Sequence, residues 1–148
     1  MGNSGIGIGI IGAGRAGLIH AVNFRKSVPY ARLVAVADPN RETAERAARE
    51  LEIDAFYTDY RQLLADERVR GVVVVTPTVY HREIVAAAAA AGKHVLCEKP
   101  MAMNARECDD MIAACGAAGV KLQLAFMRRF DASYREAKRQ IEEGAIGE

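Results

Sequence analysis

Short apolar runs rich in isoleucine and valine alternate along the chain with longer segments whose apolar residues recur at helical spacing. Strands that alternate with helices in this way build βαβ units and a parallel sheet. The pattern predicts strands at Ile6–Ile11, Leu33–Ala37, Ala55–Tyr57, Gly71–Val75, His94–Cys97 and Lys121–Phe126. Val72-Val73-Val74-Val75 is apolar at every position, as a central strand covered on both faces must be. Helices fill the intervals. The first, Arg15–Ser27, must stop before Pro29. Asn40 caps a second through Leu51, and Asp59 a short third through Leu64. Val79–Ala91 and Asn104–Ala118 end at Gly92 and Gly119, and a last helix, Ala132–Glu143, closes at Gly144. The alanine run 86–91 lies inside a helix and reads as close packing, since alanine brings no chemistry of its own. The class is α/β: a doubly wound parallel sheet with helices on both faces.

Composition narrows the function classes without choosing among them. No repeat, proline-rich linker or block of like charge divides the 148 residues, a length ordinary for one domain. Twenty basic residues against nineteen acidic ones create no field for nucleic acid or an anionic membrane. Cys97, Cys108 and Cys115 are odd in number and form no C-x-x-C pair, which suits a reduced, cytoplasmic setting. The start Met1-Gly-Asn-Ser-Gly5 lacks a basic leader and the serine or threonine of a myristoylation signal, and Ile6–Ile11 is far too short to cross a bilayer. No metal-ligand spacing and no nucleophile elbow is present.

Chemistry concentrates where the predicted strands end. Gly12-Ala-Gly-Arg-Ala-Gly17 matches G-x-G-x-x-G directly after the first strand. Gly12 suits the tight turn, Gly14 the approach of a pyrophosphate, and Gly17 close packing of helix on strand. The phosphates would sit at the helix N-terminus. Asp38 ends the second strand 21 residues after Gly17, where a carboxylate can accept from an adenosine ribose and repel a 2′-phosphate. NAD is thereby favoured over NADP, although Arg41 could soften the preference. A turn with a helix cap would also use Asp38-Pro39-Asn40. Thr76-Pro77-Thr78 follows the central strand, with His81 on the first turn beyond it as either a ligand contact or a packing residue. Cys97-Glu98-Lys99-Pro100 places two charges at the end of a buried strand, as a site or as a surface ion pair. Arg128 and Arg129 end the sixth strand and suit a hydroxyl or a phosphate, or charge at the sheet edge.

Taken in order, Gly12–Gly17, Thr76-Pro-Thr-Val-Tyr-His81, Gly92-Lys-His-Val-Leu-Cys-Glu-Lys-Pro100 and Phe126-Met-Arg-Arg-Phe-Asp131 resemble the N-terminal domain of the Gfo/Idh/MocA oxidoreductases. The Phe126–Asp131 run, with Tyr134 and the closing Gly144-Ala-Ile-Gly-Glu148, tilts the likeness toward inositol 2-dehydrogenases. The resemblance implies a Rossmann-type fold and oxidation of a secondary alcohol on a polyol or sugar, with hydride passing to NAD. By position, Gly12, Ala13, Gly14, Arg15 and Ala16 would hold the pyrophosphate and Asp38 the adenosine ribose. Thr76, Pro77 and His81 would line the middle of the cofactor, and Glu98 and Lys99 its nicotinamide end. Lys99 is the catalytic candidate, as an ammonium that orients the reacting hydroxyl and stabilises alkoxide charge. Arg128 is the candidate for substrate contact. Ala125 departs slightly from the glycine frequent in relatives.

The resemblance also implies a second, α+β domain carrying an Asp-x-x-x-His pair, most of the sugar pocket and a homo-oligomer interface, and no such segment is present. Residues 1–130 therefore read as the dinucleotide-binding domain and 131–148 as a helix leading into an absent substrate domain, with little turnover expected from this chain alone. A non-catalytic NAD-binding sensor and a domain that has kept the fold but lost the ligand are the alternatives.

Overall fold

The computed structural model describes residues 5–145 and 147; Met1–Ser4, Ile146 and Glu148, parts of the leader reading and of the closing motif, lie outside them. Six strands form one parallel sheet: β1 Ile6–Ile11, β2 Ala31–Ala37, β3 Ala55–Tyr57, β4 Gly71–Val74, β5 His94–Cys97 and β6 Leu122–Leu124. Their spatial order is β3-β2-β1-β4-β5-β6. The winding reverses between β1 and β4, and in open sheets of this kind ligands bind at the crevice such a reversal opens. The α-helices are α1 Arg15–Ser27, α2 Arg41–Glu50, α3 Tyr60–Ala65, α4 His81–Ala90, α5 Ala105–Ala117 and α6 Ala132–Glu142. This is the doubly wound, Rossmann-type architecture that the alternation of patterns predicts.

Side chains alternate across the strands and so divide the core in two. Ile10, Val36 and Val73 meet Ala21 of α1 and Ala47 of α2 on one face. Ile11, Val72 and Val74 meet Leu63 of α3, Val85 and Ala88 of α4, and Met111 of α5 on the other. The valines at 72–74 are buried because both layers cover them. On the α1 face the cover runs out beyond β4, and Leu96, Gln123 and Ala125 line an apolar cleft of about 500 Å³ with α1.

Caps fix where the helices begin. Asn40 accepts from the Thr43 N–H, Asp59 from Arg61 and Asn104 from Glu107, as short polar side chains do at helix starts. Asp131 does the same for α6, which packs so lightly that none of its residues is buried.

Three boundaries differ from the sequence expectation by two residues, the others by at most one. β6 ends at Leu124 rather than Phe126, because its partner β5 ends at Cys97: the Ala125 N–H makes a last bond to the Cys97 carbonyl (2.9 Å), and the chain then coils into a 3-10 turn at Met127–Phe130. A 3-10 turn over Thr78–Tyr80 precedes α4, which begins at His81 rather than Val79. β2 starts two residues early, at Ala31, since its register with β1 extends to Ile6.

Candidate functional site

Because every strand is parallel, each strand's carboxyl end delivers its loop to the same edge of the sheet. The glycine turn follows β1, Asp38 follows β2, Thr76-Pro77 follows β4, and Glu98-Lys99-Pro100 follows β5. The order of the sheet puts Asp38 on one side of the turn and Thr76 and Glu98 on the other.

Each of the three glycines answers a different steric demand. Gly12 has φ +101°, and a Cβ there would lie 2.7 Å from the Val75 carbonyl oxygen. A Cβ on Gly17 would stand 1.9 Å from the Gly12 carbonyl oxygen, so α1 sits against the turn only because that position lacks a side chain. At Gly14 an added Cβ would meet nothing within 4 Å, which leaves room for a ligand against the backbone. Gly14 also caps α1 without a side-chain oxygen, and the first turn of α1 holds no acidic residue. The N–H groups at that helix end are therefore open to an anion. Arg15 and Ala16 are exposed beside it, whereas Ala13 is buried.

Asp38 is held by the backbone on both sides. One oxygen accepts from the Ala13 N–H and the other from the Asn40 N–H, each at 2.9 Å. The carboxylate thus latches the glycine turn to the end of β2. Asp38 lines a cleft of about 720 Å³ together with Gly12, Gly14, Thr76 and Pro77. Its far wall is a polar cluster, in which Glu83 accepts from the Tyr60 hydroxyl at 2.6 Å and from Arg61 at 2.7 Å. Burial, and then the bonded Glu83 carboxylate, pushes the Tyr60 hydroxyl up to about 12, so it stays a donor. Arg41 lies 5.5 Å over the Phe56 ring. Thr76 carries the one buried side-chain polar atom without a partner among the described residues, its hydroxyl oxygen.

His81 is placed behind this cleft rather than in its wall. It is 1% exposed, with Nε2 at 2.9 Å from the Thr76 carbonyl oxygen and Nδ1 at 3.1 Å from that of Pro100. The imidazole therefore ties the loop after β4 to the loop after β5. The Cys97 sulfur lies 3.4 Å from Nδ1, and burial pushes its thiol up to about 12, so it is no nucleophile.

In the loop after β5, Glu98 is mostly buried and Lys99 exposed, with the Lys99–Pro100 peptide cis. Glu98 Oε1 lies 2.9 Å from His20 Nε2, and Oε2 accepts from the Lys99 N–H at 2.9 Å. Burial disfavours the charged carboxylate, but these two bonds and the Lys99 charge hold it below its ordinary value. Among the described residues Lys99 Nζ has no carboxylate partner. Arg128 lies outside both clefts, 3.5 Å from Asp131 and 4.8 Å over the Tyr134 ring.

The sequence reading passed over His20 and the Tyr60–Arg61–Glu83 cluster. His20 carried a detectable signal: it stands four residues after Ala16 and three before Asn23, one helical face that leads down from the phosphate end. The cluster carried none, since Glu83 of α4 meets Tyr60 and Arg61 of α3 only through the packing of the two helices.

The model for an oxidoreductase family with an NAD-binding Rossmann fold matches residues 6–126. The chain belongs to this oxidoreductase family. Among its relatives it is 41% identical over 138 residues to scyllo-inositol 2-dehydrogenase (NAD(+)) of Bacillus subtilis strain 168, covering 93% of this chain and 40% of that one. It is 39% identical over 140 residues to myo-inositol 2-dehydrogenase of Thermotoga maritima, covering 95% and 42%. The solved structure of scyllo-inositol dehydrogenase from Lactobacillus casei with bound cofactor NAD(H) and scyllo-inositol superposes with a TM-score of 0.90 at 34% identity, covering 97% of this chain and 43% of that one. The chain spans about two fifths of the length of the curated relatives it matches.

The residues present fit the family's cofactor, NAD. The space left at Gly14, the uncapped start of α1 and the fixed Asp38 carboxylate together suit a dinucleotide.

Proposed function

We propose that this chain is the dinucleotide-binding part of an NAD-dependent dehydrogenase acting on a secondary alcohol of an inositol-like cyclic polyol or sugar. One observation carries the reading. The unpaired Lys99 ammonium shares a sheet edge with the glycine turn and with Asp38, and lies across β1 from the latter. A dinucleotide with its pyrophosphate at Gly14 and a ribose on Asp38 extends its other half toward Thr76 and Glu98. The names of the relatives supply the substrate class.

In this reading Gly12, Ala13, Gly14, Arg15 and Ala16 form the pyrophosphate cradle. Ala13 acts through the turn it shapes, since its N–H is given to Asp38. Thr76 and Pro77 line the middle of the cleft, and His81 fixes their loop from behind. NAD, when bound, supplies the hydride acceptor. Lys99 donates to the reacting hydroxyl and lowers the energy of the alkoxide that develops there. Glu98 sets the backbone of that loop, and Arg128 contacts the substrate after leaving its stacking on Tyr134. Residues 1–130 are the cofactor domain, and 131–148 lead toward the part of the enzyme that completes the polyol pocket. The test is a fluorescence titration of the chain with NADH. Saturable binding that Asp38→Ala weakens supports the reading, and NADH binding indifferent to that change sinks it.

A further inference from the structure

His20 is not a ligand contact in the reading above, yet it makes the one side-chain bond between α1 and the Glu98 carboxylate. Its Nε2 lies 2.9 Å from Oε1, with the two side chains only 20% and 15% exposed. The other oxygen accepts from the Lys99 N–H, and the Glu98 N–H is itself bonded to the Val74 carbonyl at 2.9 Å. Both oxygens and the backbone are thus committed.

We infer that His20 is a positioning residue for Lys99: by occupying the Glu98 carboxylate it keeps the neighbouring ammonium unpaired and available to a ligand. The surroundings of the pair give the reason. His20 and Glu98 are the two ionisable side chains in the wall of the apolar cleft, whose other members include Ile19, Leu96, Leu124 and Phe130. The polar side chains beside them, Asn23 of α1 and Gln123 of β6, are neutral. A carboxylate released from His20 would face apolar surface with no other cation in that wall. The ammonium of the next residue, Lys99, is a source of compensation, and a half-buried charge takes a partner where one is in reach. Lys99 would then be bound to Glu98 and lost to chemistry. The functional meaning of this rests on the role proposed for Lys99, but the arrangement itself can be tested without any cofactor.

The experiment is competitive acylation of the 148-residue chain with acetic anhydride at low conversion, read by mass spectrometry on the peptide that contains Lys99, with exposed Lys26 as the internal reference. An ion pair holds an amine in its unreactive ammonium form. His20→Leu is therefore expected to slow Lys99 labelling about two- to fivefold, the range for a partly exposed pair. His20→Gln retains a donor and is expected to label at the parent rate. The double variant His20→Leu with Glu98→Gln is expected to recover that rate, because no charge is left to capture the lysine. Unchanged labelling in His20→Leu overturns the inference, as does slowing that persists in the double variant. Should His20→Leu fail to fold, Glu98→Gln alone decides: labelling no slower than the parent supports the inference, and slower labelling overturns it. Absence of NADH binding by the parent chain would defeat the proposed function and leave the labelling result standing.

Discussion

Gly14 and Gly17 stand three residues apart in one turn, and alanine at the two positions should separate fold from binding. At Gly17 the new methyl would lie 1.9 Å from the Gly12 carbonyl oxygen, where ordinary contact begins near 3.4 Å, so α1 must retreat by about 1.5 Å. Overpacking of that kind costs about 1–3 kcal/mol. For a domain of this size, 2 kcal/mol lowers the melting temperature by about 4–8 °C. NADH affinity should fall with it, because the retreating helix carries the anion-binding N–H groups. At Gly14 the methyl meets no protein atom within 4 Å, and the backbone angles of φ −72° and ψ −174° suit alanine. Stability should stay within about 0.5 kcal/mol of the parent. The methyl instead occupies the space left for the dinucleotide, and a loss of about 1.4 kcal/mol in binding is a tenfold rise in Kd. Urea denaturation and NADH titration on both variants give the four numbers required. The reasoning is refuted if Gly17→Ala leaves the denaturation midpoint unchanged, or if Gly14→Ala binds NADH as tightly as the parent.

Further outcomes follow from the charges and thiols. Asp38→Asn removes the carboxylate that would repel a 2′-phosphate, so the ratio of NADPH to NADH affinity, measured by competitive titration, should rise about tenfold or more. Hydrogen bonds from Arg68 outweigh burial and hold the Asp66 carboxyl down at about 2. A lowered carboxylate stabilises the fold fully above its ordinary 3.8 and loses that contribution as pH falls toward 2. The gap in urea midpoint between the parent and Asp66→Asn should therefore be constant at neutral pH and close at the acid end; a gap unchanged at pH 2 contradicts the assignment. Of the three cysteines, Cys97 and Cys115 are buried with their thiols pushed up by that burial, while Cys108 is half-buried. Thiol titration of the native protein at pH 8 should find Cys108 reacting first, and rapid modification of Cys97 would show that the loop after β5 is open.

Much of this architecture was legible in the sequence because its signals are local. A valine run marks a strand covered twice, Asn40 and Asp59 announce the helices they cap, and Gly12–Gly17 predicts a turn whose steric needs the structure displays atom by atom. What escaped depends on where the elements meet. β6 stops at Leu124 because β5 stops at Cys97, and nothing within the stretch 121–126 encodes its neighbour's length. His81 is equally apolar-facing in sequence whether it lines a cleft or ties two loops from behind; only the carbonyl oxygens of Thr76 and Pro100 distinguish the two. Arg128 differs from both, since its guanidinium is drawn to Asp131 and Tyr134 close by in the chain.

The sheet ends on both sides in strands of three residues, β3 and β6. An exposed edge invites another chain to add a strand, and the hazard grows with its length and flatness. Three residues offer too few free N–H and C=O groups for lasting addition, and the coil into a 3-10 turn after β6 cuts that template short. The apolar strands that could seed fibrils, β1 and β4, lie innermost with partners on both sides. The fold therefore carries its own resistance to edge-to-edge aggregation, and a variant that lengthened β6 toward Phe126 would trade that resistance for a longer free edge.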